Sequence, residues 1–218
     1  MAARSLTIRS YRALESAADR LCTEDPALRA LRAALGPAKI PLRGMRQGFE
    51  SLLKLIVYQQ ISLAAARAIW ARLEREGASV DGVARLGEAR LKALGLSAQK
   101  ARYAAAIAQE VAGRSFSFAR LARLADDEAR AALMSLPGIG PWTSELYLLQ
   151  ALRRADAFPA GDLALQEAAR TAFGLPTRPG ADALERIAQR WRPHRSVAAR
   201  LLWCHYRRSV RGGREAGG

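Results

Sequence analysis

The stretch best equipped for chemistry runs from Leu133 to Asp162. It holds a Pro137-Gly138-Ile139-Gly140 turn, an indole at Trp142 and, about 20 residues after the turn, a carboxylate at Asp162. A Pro-Gly-x-Gly turn between two helical patterns leaves backbone N–H groups pointing outward at the start of the second helix, which makes an anion site. Pro137 fixes one dihedral, while Gly138 and Gly140 allow left-handed conformations and close approach of a partner. Ile139, flanked by glycines, is expected to plug into the core and lock the turn. The end of the preceding helix leaves carbonyl oxygens, those of Met134 and Leu136 with Gly138, suited to a monovalent cation such as Na+ or K+. Asp162 opens a new apolar-periodic run, so it N-caps that helix, a contribution of about 1 kcal/mol. A carboxylate there can also stabilise positive charge developing on a substrate, or help a water attack.

The elements that must position these groups read as helices throughout. Helical spacing covers Tyr11–Cys22, and Asp25-Pro26 looks like an N-cap followed by proline at the first helical position. That second helix stops at Gly36-Pro37, and residues 38–48 read as a linker. Phe49–Gln59 is amphipathic, with Phe49, Leu52, Leu53, Ile56 and Val57 on one face. Gln59-Gln60-Ile61-Ser62 interrupts it, and Ser62 can cap Leu63–Glu76. Short helices are expected near 80–86, 87–94 and 117–124, with a longer one from Ser97 to about Val111 that carries Lys100 and Arg102 in its first turns. Asp126 is expected to open the helix before the Pro-Gly-x-Gly turn. Helices over 163–173, 182–191 and 196–208 close the chain, and 212–218 reads as a disordered tail. No segment has a useful strand period, so the fold class is all-α.

Composition bounds the partners. The chain has 218 residues with a formal net charge of +15, from 35 Lys+Arg against 20 Asp+Glu. Lys39, Lys54, Lys92 and Lys100 are the only lysines, so the charge is mostly guanidinium, which matches phosphate oxygens. Such a balance favours a polyanion. Lys100, Arg102 and Arg195 are the candidates for phosphate contacts. Cys22 and Cys204 are far apart and only two histidines occur, which argues against an iron–sulfur cluster or a thiolate or multi-histidine metal centre. No uncharged run is long enough to span a bilayer, and Met1–Arg4 lead into no clear secretory core. The default is a cytoplasmic protein, nucleoid-associated if bacterial.

Leu136–Gly140 resembles the hairpin of the helix–hairpin–helix DNA glycosylase superfamily. Pro141-Trp142-Thr143 with Asp162 downstream is similar to its DNA-3-methyladenine glycosylase II branch. Phe49–Ala66, Leu94–Ala106 and Arg190–Ser196 resemble that branch as well, so the likeness spans residues 45–208. The resemblance implies two helical subdomains with a cleft between them, one from 1–48 plus 157–218 and one from 49–156. It also implies a compact form without the family's N-terminal β-domain. Asp162 would face the sugar of a flipped nucleotide. Gly138, Gly140 and Thr143 would hold the DNA backbone, and Gln60, beside Ile61, would fill the gap left by the extruded base. Bifunctional relatives place a Schiff-base lysine where this chain has Trp142, so no AP lyase activity is expected.

Trp142, Leu146 and His194 would line the base pocket. Some relatives carry Tyr at the position of Leu146 and an aromatic residue, often Trp, at that of His194. The expected function is therefore monofunctional excision of alkylated purines (3-methyladenine, 7-methylguanine) from damaged double-stranded DNA in base excision repair. The expected protein is a monomer needing no cofactor. The alternatives are a sister specificity (ethenoadenine, hypoxanthine or oxidised bases) and a non-catalytic helix–hairpin–helix DNA-binding protein.

Overall fold

The structure, a computed structural model, describes residues 5–36, 39–42 and 44–215. Twelve α-helices follow one another among them: α1 (Tyr11–Glu24), α2 (Pro26–Leu35), α3 (Phe49–Tyr58), α4 (Leu63–Glu76), α5 (Val80–Ala93), α6 (Ala98–Ala112), α7 (Phe118–Leu121), α8 (Asp126–Met134), α9 (Pro141–Gln150), α10 (Leu163–Ala172), α11 (Ala181–Ala188) and α12 (Arg195–Glu215). The all-α class holds: the one β pairing among the described residues is an isolated antiparallel bridge between Thr7 and Arg154. No described helix is long and apolar enough to cross a membrane.

The chain forms two compact units. One is Met1–Gly44 with Arg153–Gly218, the other Met45–Leu152. Both boundaries fall four residues before the positions taken from the resemblance. Within the first unit, the segment before α1 lies along the returning chain, where Ile8 N–H donates to Arg153 O at 2.8 Å and Ala155 N–H to Leu6 O at 2.9 Å. Ser10 caps α1, whose buried Leu14, Ala17, Ala18 and Leu21 follow helical spacing. Asp25 caps α2 and does more. Its Oδ1 accepts from Ala27 and Leu28 N–H, while Oδ2 accepts from Trp191 Nε1 at 2.7 Å and pairs with Arg190 Nε at 2.9 Å. Trp191 is completely buried, with the rings of Phe158 and Phe173 at 5.7 and 5.9 Å. One buried carboxylate thus joins a helix cap to the largest core side chain.

In the second unit, Leu52, Leu53, Ile56 and Val57 of α3 are buried, as are Leu73, Ala104, Ile107 and Leu148. Tyr147 of α9 is fully buried. Its hydroxyl accepts from Gly48 N–H at 2.8 Å, and burial pushes its pKa up to about 12. Gly87, at φ 64° and ψ 171°, kinks α5, so the two short helices expected at 80–86 and 87–94 are the halves of one broken element. Two local expectations change. Asp126 is the first helical residue of α8 rather than its cap. Ala125 takes the cap position, and its N–H donates to Glu128 at 3.0 Å. The tail expected at 212–218 is helical through Glu215, and 216–218 lie outside the described residues, as do Met1–Arg4 and Pro37, Ala38 and Arg43 of the linker region.

Asp25→Ala removes a helix cap and leaves the buried Trp191 N–H without its acceptor. It is expected to lower the unfolding free energy by about 2–4 kcal/mol, measurable by urea titration; a change below about 0.5 kcal/mol would contradict this role.

Candidate nucleic-acid interface and catalytic carboxylate

The hairpin joins α8 to α9, and its geometry separates the two glycines. Gly138 has φ 76°, and a Cβ there would lie 2.0 Å from Cδ2 of Tyr103. Glycine is required at this position by backbone and by packing together. Gly140 has φ −98° and ψ −178°, ordinary extended backbone, so the left-handed conformation expected there is absent. A Cβ on Gly140 would meet nothing within 4 Å, so no group of the protein demands glycine there. Ile139 is 5% exposed and does plug the turn into the core. Helix α9 then begins with Pro141 in its first turn and with no side-chain cap. An uncapped helix N-terminus in a chain of +15 charge suits an anion.

Gln59 holds this hairpin, a role the sequence did not reveal. Its Nε2 donates to Gly138 O at 3.0 Å and to Thr143 Oγ1 at 2.9 Å. Thr143 is 2% exposed, so its hydroxyl serves this internal bond rather than a surface contact. The next residue, Gln60, is exposed and sits at φ 53°. Ile61 beside it is 39% exposed and lines a recess of about 380 Å³ with Val57, Ile69 and Leu96. Lys100 supports the same turn. Its ammonium donates to Val57 O at 2.9 Å and Gln59 O at 2.6 Å, so it caps the end of α3, and burial pushes its pKa down. The phosphate role expected for Lys100 gives way to this one, because its donors point at carbonyls of its own unit. Arg102 is exposed on α6.

Trp142 and Leu146 lie one turn apart on α9; Trp142 is half-buried and Leu146 buried. For the cation site, the carbonyl of Leu136 accepts from Ile139 N–H at 3.2 Å and that of Gly138 from Gln59. Each of these two carbonyls keeps a second lone pair. Among the described residues no group of His, Cys, Asp and Glu could hold a metal ion.

Asp162, in the first unit, N-caps α10. Its Oδ1 accepts from Ala164 N–H at 3.0 Å and Leu165 N–H at 3.1 Å, and also from the indole Nε1 of Trp203 at 3.2 Å. Phe158 is buried upstream, whereas Leu163, the first residue of α10, is 62% exposed. His194 is 7% exposed, and its Nδ1 is buried without a hydrogen-bond partner. Burial pushes its pKa down, Arg20 adds to this, and Asp156 and Glu24 oppose it. Arg195 departs most from expectation. Its side chain is 4% exposed and is clamped by both oxygens of Asp156, at 2.9 and 3.0 Å, and by Glu185 at 2.5 Å. A buried guanidinium so committed is a structural strut, not a phosphate contact. Trp203 was also missed, although it falls off the apolar stripe of Val197, Leu201 and Leu202 on its helix.

The sequence pattern of the HhH-GPD superfamily base excision DNA repair proteins matches residues 53–194. The Bacillus subtilis (strain 168) protein YfjP is 30% identical over 165 residues, covering 71% of this chain; the chain spans 58% of YfjP's own length. The 3-methyladenine DNA glycosylase Mag1 of Schizosaccharomyces pombe, solved in complex with abasic DNA, is 27% identical with a TM-score of 0.78, over 86% of this chain and 95% of that one. A DNA-3-methyladenine glycosidase from Bacillus halodurans is 25% identical with a TM-score of 0.77, over 96% and 95%.

The two hairpin glycines are expected to respond differently to substitution. Gly138→Ala should cost about 2 kcal/mol or more of stability, whereas Gly140→Ala should stay within about 0.5 kcal/mol. Equal losses in denaturant melts would contradict the packing described for Tyr103.

Proposed function

Because this chain belongs to the HhH-GPD superfamily of base excision DNA repair proteins, we propose that it is a monofunctional DNA glycosylase that releases alkylated purines from double-stranded DNA. The observation that carries the reading is Asp162, a carboxylate fixed by N–H donors at the start of α10, in a chain whose hairpin offers an uncapped helix N-terminus to phosphate. The hairpin's α9 N-terminus and Gly140 bind the backbone, and the open space over Gly140 lets a phosphodiester approach. Gln60 enters the duplex gap from a turn already held by Gln59 and Lys100. Na+ or K+ on the carbonyls of Met134, Leu136 and Gly138 would supply further positive charge for a phosphate.

The chemistry follows from the leaving group. A purine alkylated at N3 or N7 is cationic, so its glycosidic bond is weakened and no strong general acid is needed. Asp162 stabilises the oxocarbenium-like sugar as that bond breaks and directs a water to C1′. Trp142 stacks on the electron-poor base, a cation–π contribution of about 0.5–2 kcal/mol. It also occupies the position where a lysine would form a Schiff base, so the product is an intact strand with an abasic site. Leu146, one turn from Trp142 on α9, shapes the lesion range. The protein is expected to act on damaged duplex DNA as a monomer.

Asn in place of Asp162 keeps a capping oxygen but not the charge. Asp162→Asn should bind abasic duplex as wild type does and lose at least about 100-fold in the single-turnover rate of 7-methylguanine release. Release at the wild-type rate would remove the carboxylate from the mechanism.

A further inference from the structure

Helix α12 packs along α10 in the first unit and grips it at two places. Near the end of α10, His205 Nε2 lies 2.9 Å from Thr171 Oγ1. At its start, two residues earlier on α12, Trp203 Nε1 donates to Oδ1 of Asp162 at 3.2 Å. That oxygen already accepts the N–H groups of Ala164 and Leu165. One carboxylate oxygen therefore gathers three donors, two from its own helix and one from another. The two backbone donors are enough for an N-cap, as Ser10, Ser62, Ser79 and Ser97 show with a single such bond each. The third is surplus to capping, and it comes from a rigid indole on a second helix.

We infer that Trp203 is a positioning residue for Asp162: its indole N–H fixes the plane and direction in which the carboxylate is presented to the sugar. The inference rests on the catalytic role proposed for Asp162. Backbone donors anchor Oδ1 but leave a libration about the Cβ–Cγ bond. A donor from α12 restrains it from a further direction, because turning the carboxylate away would break its bond to an indole held on a packed helix. Preorganisation of this kind matters most where charge develops at a fixed point, since a misaimed carboxylate still caps the helix but stabilises the oxocarbenium less. The other tryptophans with recorded N–H partners serve different ends: Trp70 bonds to Glu74 on its own helix, and Trp191 is tied to the Asp25 cap.

Trp203→Phe keeps an aromatic ring and removes the donor. Single-turnover release of 7-methylguanine from a duplex carrying that lesion at one site should slow about 10–100-fold. Affinity for an abasic duplex should stay within about twofold and the melting temperature within about 4 °C. In an Asp162→Asn background, Trp203→Phe should cause no further loss. Trp203→Leu, which has no side-chain donor at all, is the second variant should the first fold poorly, and the same behaviour is expected of it. A wild-type rate in the well-folded variant, or an equal fractional loss in both backgrounds, would overturn the positioning role. Undiminished release by Asp162→Asn alone would instead overturn the catalytic reading beneath it.

Discussion

A helix begins with N–H groups that have no partner inside it, and this protein answers that constraint in two opposite ways. At α10 the donors are taken up by Asp162, so the carboxylate has a fixed position before any substrate arrives. At α9 no side chain caps the start, and proline occupies the first turn. One N-terminus holds an anion supplied by the chain, while the other is suited to an anion supplied from outside. In the proposed reaction these become the chemical group and the phosphate grip, and both follow from the same backbone arithmetic.

The hairpin owes its shape to contacts made some distance away in sequence. Gln59 bonds to the carbonyl of Gly138 and the hydroxyl of Thr143, and Lys100 bonds to carbonyls at the end of α3. The turn bearing Gln60 and the hairpin bearing Gly140 are thereby parts of one hydrogen-bonded assembly within the second unit. An exposed side chain at positive φ, such as Gln60, is held there by its neighbours rather than by its own preference.

Local signals were legible in the sequence. Asp25-Pro26, Ser62 and Ser97 gave helix starts because a cap and the N–H it satisfies lie within three residues. The hairpin and Asp162 were legible for the same reason. Arg195, Lys100 and Thr143 were misplaced because each meets a partner that sequence distance hides: Asp156, the α3 carbonyls and Gln59. A cation's type says that it can meet a phosphate, but only packing shows whether a carboxylate has already claimed it. Gly140 shows the converse. Nothing in the protein's own contacts calls for glycine there.

The most direct measurement incubates the wild-type protein with duplexes that each carry one defined lesion, then separates free bases by chromatography and strands by denaturing electrophoresis. The expected result is release of 3-methyladenine and 7-methylguanine as free bases, with the damaged strand intact until alkali cleaves it at the abasic site. No release from either alkylpurine duplex, or strand scission without alkali, would contradict a monofunctional alkylpurine glycosylase.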